Sequence, residues 1–257
     1  MAQPATEFNL EKYIMHHVQN SYEWHVPFLP PIHLPSWLSL HGLMIIITAV
    51  LLIFLFCFVY RKDQRVPMGI TNALEAFVTF IRDEIALPYL GEEDGRKMTP
   101  LFCTFFFFIL GMNLLGIIPL FSTATGNVNV TGALALITLS FMVIGAISKN
   151  GIGGFLKSFI PSGIPVAVLI ILVPLEIIGV FIKAFALMIR LFANMLAGHI
   201  VIFSLVGLVG LLGFIALPSV LLALFILLLE LFVAFLQAYI FTLLSAMFIG
   251  QTYHPEH

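Results

Sequence analysis

Apolar residues run through this chain in unbroken blocks, and short stretches between the blocks collect most of the charge. The blocks cover residues 38–59, 98–118, 130–148, 164–206 and 218–250. About twenty apolar residues in helical form cross roughly 30 Å of hydrocarbon, so each block can enter a membrane. Membrane barrels instead alternate polar and apolar residues in segments of about ten, a pattern missing here, so the spans are predicted to be helices. Between the first two blocks, Ile70, Leu74, Phe77, Val78, Ile81 and Ile85 recur at helical spacing, while Glu75, Arg82 and Asp83 take other faces. That pattern predicts an amphipathic helix over 68–87, lying along the membrane surface. The fold class is an all-α polytopic membrane protein: about five membrane-entering helices and one surface helix. They form a single transmembrane domain over 38–257, preceded by a polar, proline-broken tail over 1–37.

The last two blocks are too long for upright spans. Forty residues of straight helix reach about 60 Å, twice the hydrocarbon thickness. Either Pro174 or Gly179 breaks the 164–206 run, or the run is one helix tilted far beyond the usual roughly 20°. Gly207, Gly210 and Gly213, followed by Pro218, read as the turn of a helical hairpin.

Composition agrees with this picture: 61% of the 257 residues are hydrophobic and only 9% are charged. The net charge of −2 is uninformative, and no basic, aromatic-interleaved cluster suggests nucleic-acid binding. Cys57 and Cys103 lie in apolar stretches without metal-ligand spacing, and read as small hydrophobes with no disulfide. The N-terminus lacks the basic and apolar regions of a cleavable signal, so insertion is expected to rely on the first span. In the tail, Tyr22, Trp24 and Trp37 are placed for a membrane interface, and the irregular spacing of His16, His17, His25 and His33 fits a solvated tail better than a metal site. Lysine and arginine gather in the 60–98 and 149–163 connections and are missing from 119–130 and 207–218. The basic connections are expected to be cytoplasmic, with the N-terminus outside and the C-terminus inside.

Charges inside the apolar runs are costly, and here they are patterned. Glu176, Lys183 and Arg190 are seven residues apart, which drifts only about 20° per step on a helix, and Asn194 continues the same stripe. Arginine at the bilayer centre costs about 2.5–3.5 kcal/mol on insertion scales, and no carboxylate lies at i±3 or i±4 of Arg190. Its partner is therefore expected from another helix or another chain. Lys183 and Glu176 could instead form a structural pair or snorkel toward the cytoplasmic end. His199 lies nine residues on, about 180° around and about 13 Å outward from Arg190. On the last helix Glu230 and Gln237 share a face. If Gln237 is level with Arg190 in an antiparallel hairpin, Glu230 falls near the depth of His199, where imidazole and carboxylate could exchange protons through water.

These residues carry a resemblance. "IRLFANMLAGH", followed about forty residues on by "ELFVAFLQAYIFTLL", closely resembles the a subunit of rotary F-type ATP synthases, with support from "MNLLGIIP", "NVNVT" and "KNGIGGF". The resemblance covers residues 38–250. It implies a proton-translocating stator of the membrane sector, in a bacterial inner membrane, with two half-channels serving the carboxylates of a rotating c ring. It implies that Arg190 is the essential arginine preventing a proton short-circuit, and that Asn194, His199, Glu230 and Gln237 are half-channel positions. Glu176 matches a position toward the cytoplasmic side, and Asn113 a polar position on the second span. The implied partners are the c ring, the b-subunit peripheral stalk, the rest of the synthase and membrane lipid. Some bacterial relatives carry glutamate at the position of His199 and histidine at that of Glu230. The exchange found here keeps one acid and one imidazole, and leaves open which receives the proton first. Where some members have lysine followed by proline, this chain has Lys183 and Ala184.

No nucleotide-binding loop occurs, so the chain is expected to be non-catalytic by itself, with ATP chemistry on partner chains and no cofactor or metal. The competing reading is a proton or ion channel or transporter that works without a rotor. An electron-transfer subunit would need paired intramembrane histidines for haem, which the spans do not offer.

Overall fold

The computed structural model describes residues 23–24, 32–35, 38–60, 69–118, 121–160, 165–213 and 217–254. Tyr22, Trp37, His16, His17, His25, Arg61, Lys62 and Arg65 lie outside these residues, so the expectations placed on them have no structural counterpart.

Two short strands, β1 (Glu23–Trp24) and β2 (Ile32–His33), pair antiparallel ahead of the helices. Helix α1 (Leu40–Phe54) starts where Ser39 caps the Gly42 amide at 3.3 Å, and it ends in a π-helical turn, Leu55–Val59. Helix α2 (Ile70–Phe80) passes through a second π-helical turn, Ile81–Ala86, into α3 (Leu87–Ile117). A 3-10 turn, Ala124–Gly126, precedes α4 (Val128–Ser140), capped by Asn127, whose side-chain oxygen accepts from the Asn129 amide. A π-helical turn, Phe141–Gly145, leads into α5 (Ala146–Lys157), and then come the long helices α6 (Val166–Leu212) and α7 (Leu217–Tyr253). Among the described residues, five helical units are long and apolar enough to cross a membrane: Leu40–Phe58, Ile70–Ile117, Val128–Lys157, Val168–Val209 and Pro218–Tyr253.

The expected amphipathic helix over 68–87 is present as α2 and its π-helical continuation. Gly91 (φ 75°, ψ 177°) takes a conformation that residues with a Cβ seldom adopt and interrupts the helix there. The chain folds back on itself at this point. A Cβ on Gly95 would meet the Ala86 carbonyl at 2.9 Å, and the Phe77 ring stacks on Phe106 with centroids 5.6 Å apart. Ile81, Ile85, Ala86 and Leu90 are thereby buried, while Glu75, Arg82 and Asp83 stay exposed.

The 164–206 question has one answer. Helix α6 continues through both Pro174 and Gly179, and its 47 residues extend about 70 Å, more than twice the hydrocarbon thickness. Proline costs one ladder hydrogen bond, and an apolar environment that offers no competing partner for the backbone keeps the rest of the ladder intact. The expected turn at three glycines is corrected in the same way: Gly207 and Gly210 are helical, and only Gly213, at φ 60°, ends the helix. The third span also outruns its expected end at 148, reaching Lys157 across a kink at Gly151.

The buried core lies where α3 packs along α7. Phe102, Ile109, Met112, Phe241 and Ile249 are fully enclosed there, and the Phe105 and Phe241 rings meet edge to face at 5.5 Å. Helix α4 covers one side of α6, close enough for Gly132 to face the Met188 sulfur, and α1 packs on α3. The rest of α6 and α7 presents Phe181, Ile182, Phe185, Leu228 and Phe232 outward.

Candidate functional site

Helices α6 and α7 run antiparallel, and four side-chain contacts set their register. Lys183 Nζ donates to Gln251 Oε1 at 2.9 Å, and Asn194 Nδ2 donates to Gln237 Oε1 at 3.4 Å. His199 Nδ1 lies 2.8 Å from Glu230 Oε1, and Ser219 Oγ donates to the Leu205 carbonyl at 3.0 Å. Gln237 is thus level with Asn194, one helical turn outward of the Arg190 level supposed from sequence. The consequence foreseen for the other pair holds: imidazole and carboxylate stand side by side.

His199 is held from three sides. Its Nδ1 is 3.1 Å from the Met195 carbonyl one turn back on α6, and its Nε2 is 3.0 Å from the Gly116 carbonyl and bonded to the Thr123 hydroxyl. Glu230 is only 5% exposed, and a Cβ on Gly198 would stand 2.7 Å from its Oε1. The missing side chain at residue 198 is what lets the carboxylate lie against α6. Despite its closeness to His199, Glu230 Oε1 lacks a hydrogen bond of good geometry, and Gln237 Nε2 is buried without any partner among the described residues. An unpaired buried polar atom costs about 1–3 kcal/mol, so both atoms suit a site that exchanges partners. A space of about 70 Å³ borders Glu230, His199, Thr123 and Gly116, large enough for water to reach them.

Asn113 lies three residues before Gly116 on the same helix. It is 1% exposed on α3; its Nδ2 donates to the Ala234 carbonyl of α7 at 3.4 Å, and its Oδ1 accepts from Thr125 Oγ1 at 2.7 Å. One amide therefore ties α3, α7 and the 121–127 connection together.

The stripe on α6 behaves differently. Glu176, Arg190 and Asn194 are exposed, and no hydrogen bond or ion pair reaches Glu176 or Arg190 among the described residues. Lys183 is half-buried and turns to Gln251, with the Phe248 ring centroid 5.5 Å from its ammonium, so the alternative Lys183–Glu176 pair is not formed. Around Arg190 the outward surface is apolar: Phe181, Ile182, Phe185 and Ile189.

Several contributors were not singled out from sequence: His41, Ser122, Thr123, Thr125, Gly116 and Gly198. Their readable signal was a run of hydroxyls, "FSTATG", in the uncharged connection after the second span, and a histidine in the first turn of the first span. Among the described residues no group of three or more His, Cys, Asp or Glu side chains is arranged to hold a metal ion.

Long apolar helices enclosing an imidazole–carboxylate contact, beside an exposed arginine without a partner among the described residues, define a polytopic helical membrane protein with a buried polar cluster. The chain belongs to the ATP synthase A chain family, which it matches over residues 42–250. It is 45% identical to ATP synthase subunit a of Chloroherpeton thalassium over 259 residues, which cover 95% of this chain and 77% of the relative. It is 47% identical over 215 residues to the Anaeromyxobacter dehalogenans (strain 2CP-C) protein of that name, covering 82% of this chain and 56% of the relative. With the Myxococcus xanthus subunit a the identity is 47% over 204 residues, 76% of this chain and 67% of the relative. The chain thus spans between about half and two thirds of the length of the Anaeromyxobacter and Myxococcus relatives it matches.

Proposed function

We propose that this chain is the proton-translocating stator subunit of the membrane sector of an F-type ATP synthase. It is a multi-pass inner-membrane protein, non-catalytic by itself, with the N-terminus outside and the C-terminus cytoplasmic. The observation that carries the reading is Arg190: a permanent cation, exposed on an apolar face and without an anion among the described residues. In hydrocarbon such a side chain needs a partner, and the uncovered face of α6 and α7 leaves room for one on another chain. A carboxylate that arrives, is held ionised and departs answers both requirements, and the c ring of a rotary synthase supplies a succession of them.

The two sides of Arg190 then separate two aqueous half-paths. Outward, by about 13 Å, His199 and Glu230 hand protons toward the Asn194–Gln237 level, next to the ring. Inward, Glu176 lies about 21 Å from Arg190 along the helix axis and lines the cytoplasmic exit, with Lys183 and Gln251 between them. Arg190 blocks direct passage between the half-paths, because a proton would have to approach a fixed positive charge in a medium that screens poorly. Asn113 holds the wall of the outer path. Helix α2 lies at the cytoplasmic interface, where its exposed charges meet water, and the b-subunit stalk packs against the remaining helices.

The decisive experiment is Arg190→Ala in the purified whole synthase, reconstituted into vesicles. ATP-driven proton pumping, read by a pH-sensitive dye, is expected to vanish while the complex still assembles and hydrolyses ATP. Intact coupled pumping in that variant removes the assignment, as would proton conduction by this chain purified without a ring.

A further inference from the structure

His41 opens α1 at 4% exposure, and its Nε2 lies 3.2 Å from Ser122 Oγ. The next residue, Thr123, places its hydroxyl on His199 Nε2. A space of about 20 Å³ lies among the side chains of His41, Ser122, Thr123 and His199, floored by Met195 and Leu196. About 10–15 Å³ is enough to seat one water between polar partners, so the space has room for one water that, with the two hydroxyls, would link ring to ring. Beyond His199 the separate space of about 70 Å³ continues to Glu230.

From this string of contacts we infer that His41 is the outermost relay group of the proton path that leads to Glu230, and that protons pass from the first span to the hairpin through Ser122 and Thr123. The inference rests on the stator reading above and adds a residue to it. The transfer balances by proton hopping. The His41 Nε2–H bond breaks as an O–H bond forms on Ser122 or the bridging water, and that oxygen releases another proton toward Thr123. The Thr123 hydroxyl gives its proton to His199 Nε2 and regains one from the bridge. His199 Nδ1 then yields its proton to Glu230 Oε1, 2.8 Å away. The Gly116 carbonyl, 3.0 Å from Nε2, accepts from the newly protonated nitrogen.

A plain structural clamp between α1 and the 121–127 connection would need only a hydrogen bond. A relay needs a group that gains and loses a proton near neutral pH, which imidazole does. Among the described residues lining the smaller space, only His41 and His199 titrate. Helix α7 adds Glu230 behind His199, the 121–127 connection adds hydroxyls and amides, and the strand pair adds Glu23 and His33, which stand 3.3 Å from each other.

The test uses the whole synthase in vesicles and measures ATP synthesis driven by a proton gradient, with outer pH varied from about 5 to 8. His41→Asn keeps a hydrogen-bonding side chain but cannot titrate. It is expected to slow synthesis about tenfold or more and to remove a step from the outer-pH profile. His41→Asp restores a titratable group and is expected to recover rate with the step moved to lower pH. A wild-type rate and profile in His41→Asn overturns the inference. Should that variant fail to assemble, Ser122→Ala is read in its place: slowed synthesis supports the relay, and full rate with an unaltered profile overturns it. Glu230→Gln in the same assay separates the two claims. Coupled synthesis surviving there removes the outer path as a whole, whereas its loss beside an unaffected His41→Asn removes only the outer relay.

Discussion

His199 and Glu230, thirty-one residues apart on antiparallel helices, bring an imidazole nitrogen and a carboxylate oxygen to 2.8 Å in a site where the carboxylate is 5% exposed. Neither residue is placed by its own helix alone. Thr123 and Gly116 hold the ring from α3 and the connection after it, and Gly198 clears the space for the acid.

Gly198→Ala should disturb that contact first. The new methyl would stand 2.7 Å from Glu230 Oε1, at the far end of a flexible side chain, so the carboxylate swings away while the helices keep their packing. Proton-driven ATP synthesis should fall by about tenfold, equivalent to about 1.4 kcal/mol on the barrier. The double variant Gly198→Ala with Glu230→Asp, whose acid is one methylene shorter, should regain part of the rate. A single variant with unchanged synthesis would show that the contact is not rate-determining.

The hairpin register can be read by cross-linking. After replacement of Cys57 and Cys103, cysteines at 194 and 237 should join readily through a short thiol-reactive linker, because these two side chains meet at 3.4 Å. Cysteines at 190 and 237 should join far less, Arg190 being one turn inward and exposed on the outward face. Equal yields, measured as the fraction protected from separation after proteolytic cleavage between α6 and α7, would contradict this register.

Asn113→Leu removes one amide that serves two partners. The Thr125 hydroxyl and the Ala234 carbonyl, bonded to it at 2.7 and 3.4 Å, would both lose that bond. The expected loss is about 1–3 kcal/mol, seen as a lower unfolding midpoint of the detergent-solubilised complex. Asn113→Asp should be worse, since it also buries a charge.

At the opposite end of the bundle, Asp94 accepts from Lys149 and stands 3.3 Å from His254, while His254 reaches the Leu90 carbonyl at 3.0 Å. These contacts pin the Gly91 junction to α5 and to the end of α7. Lys149 and Asp94 are partly open to solvent, so Asp94→Asn should cost only about 1 kcal/mol. Limited proteolysis of the 90–97 segment should speed up slightly while pumping persists. Complete loss of pumping would indicate that the cluster does more than fasten helix ends.

The spans and the intramembrane charges were legible because each is a local property. A block of apolar residues has few alternatives to a helix in hydrocarbon, and Arg190 stands out wherever such a helix points it. The seven-residue spacing of Glu176, Lys183 and Arg190 likewise follows from helix geometry. The structure nonetheless turns Lys183 to Gln251 and leaves the other two outward, since packing against α7 decides which edge of a stripe is covered.

Less was legible wherever contacts join distant parts of the chain. Pro174 and Gly179 carry no sign of whether a helix survives them, because that depends on neighbours that satisfy or exclude the backbone. His41 and Thr123 look like ordinary polar residues at span ends until folding sets one beside Ser122 and the other on His199. Hydrophobicity and helical periodicity thus settled that this is a bundle of long membrane helices with a costly arginine in its longest run, since both act within one or two turns of chain. Which imidazole meets which carboxylate, and which hydroxyls link them, was decided only by the packing of α1, α3, α6 and α7, because hydrogen bonds of about 3 Å depend on interhelical register, a quantity no single helix contains.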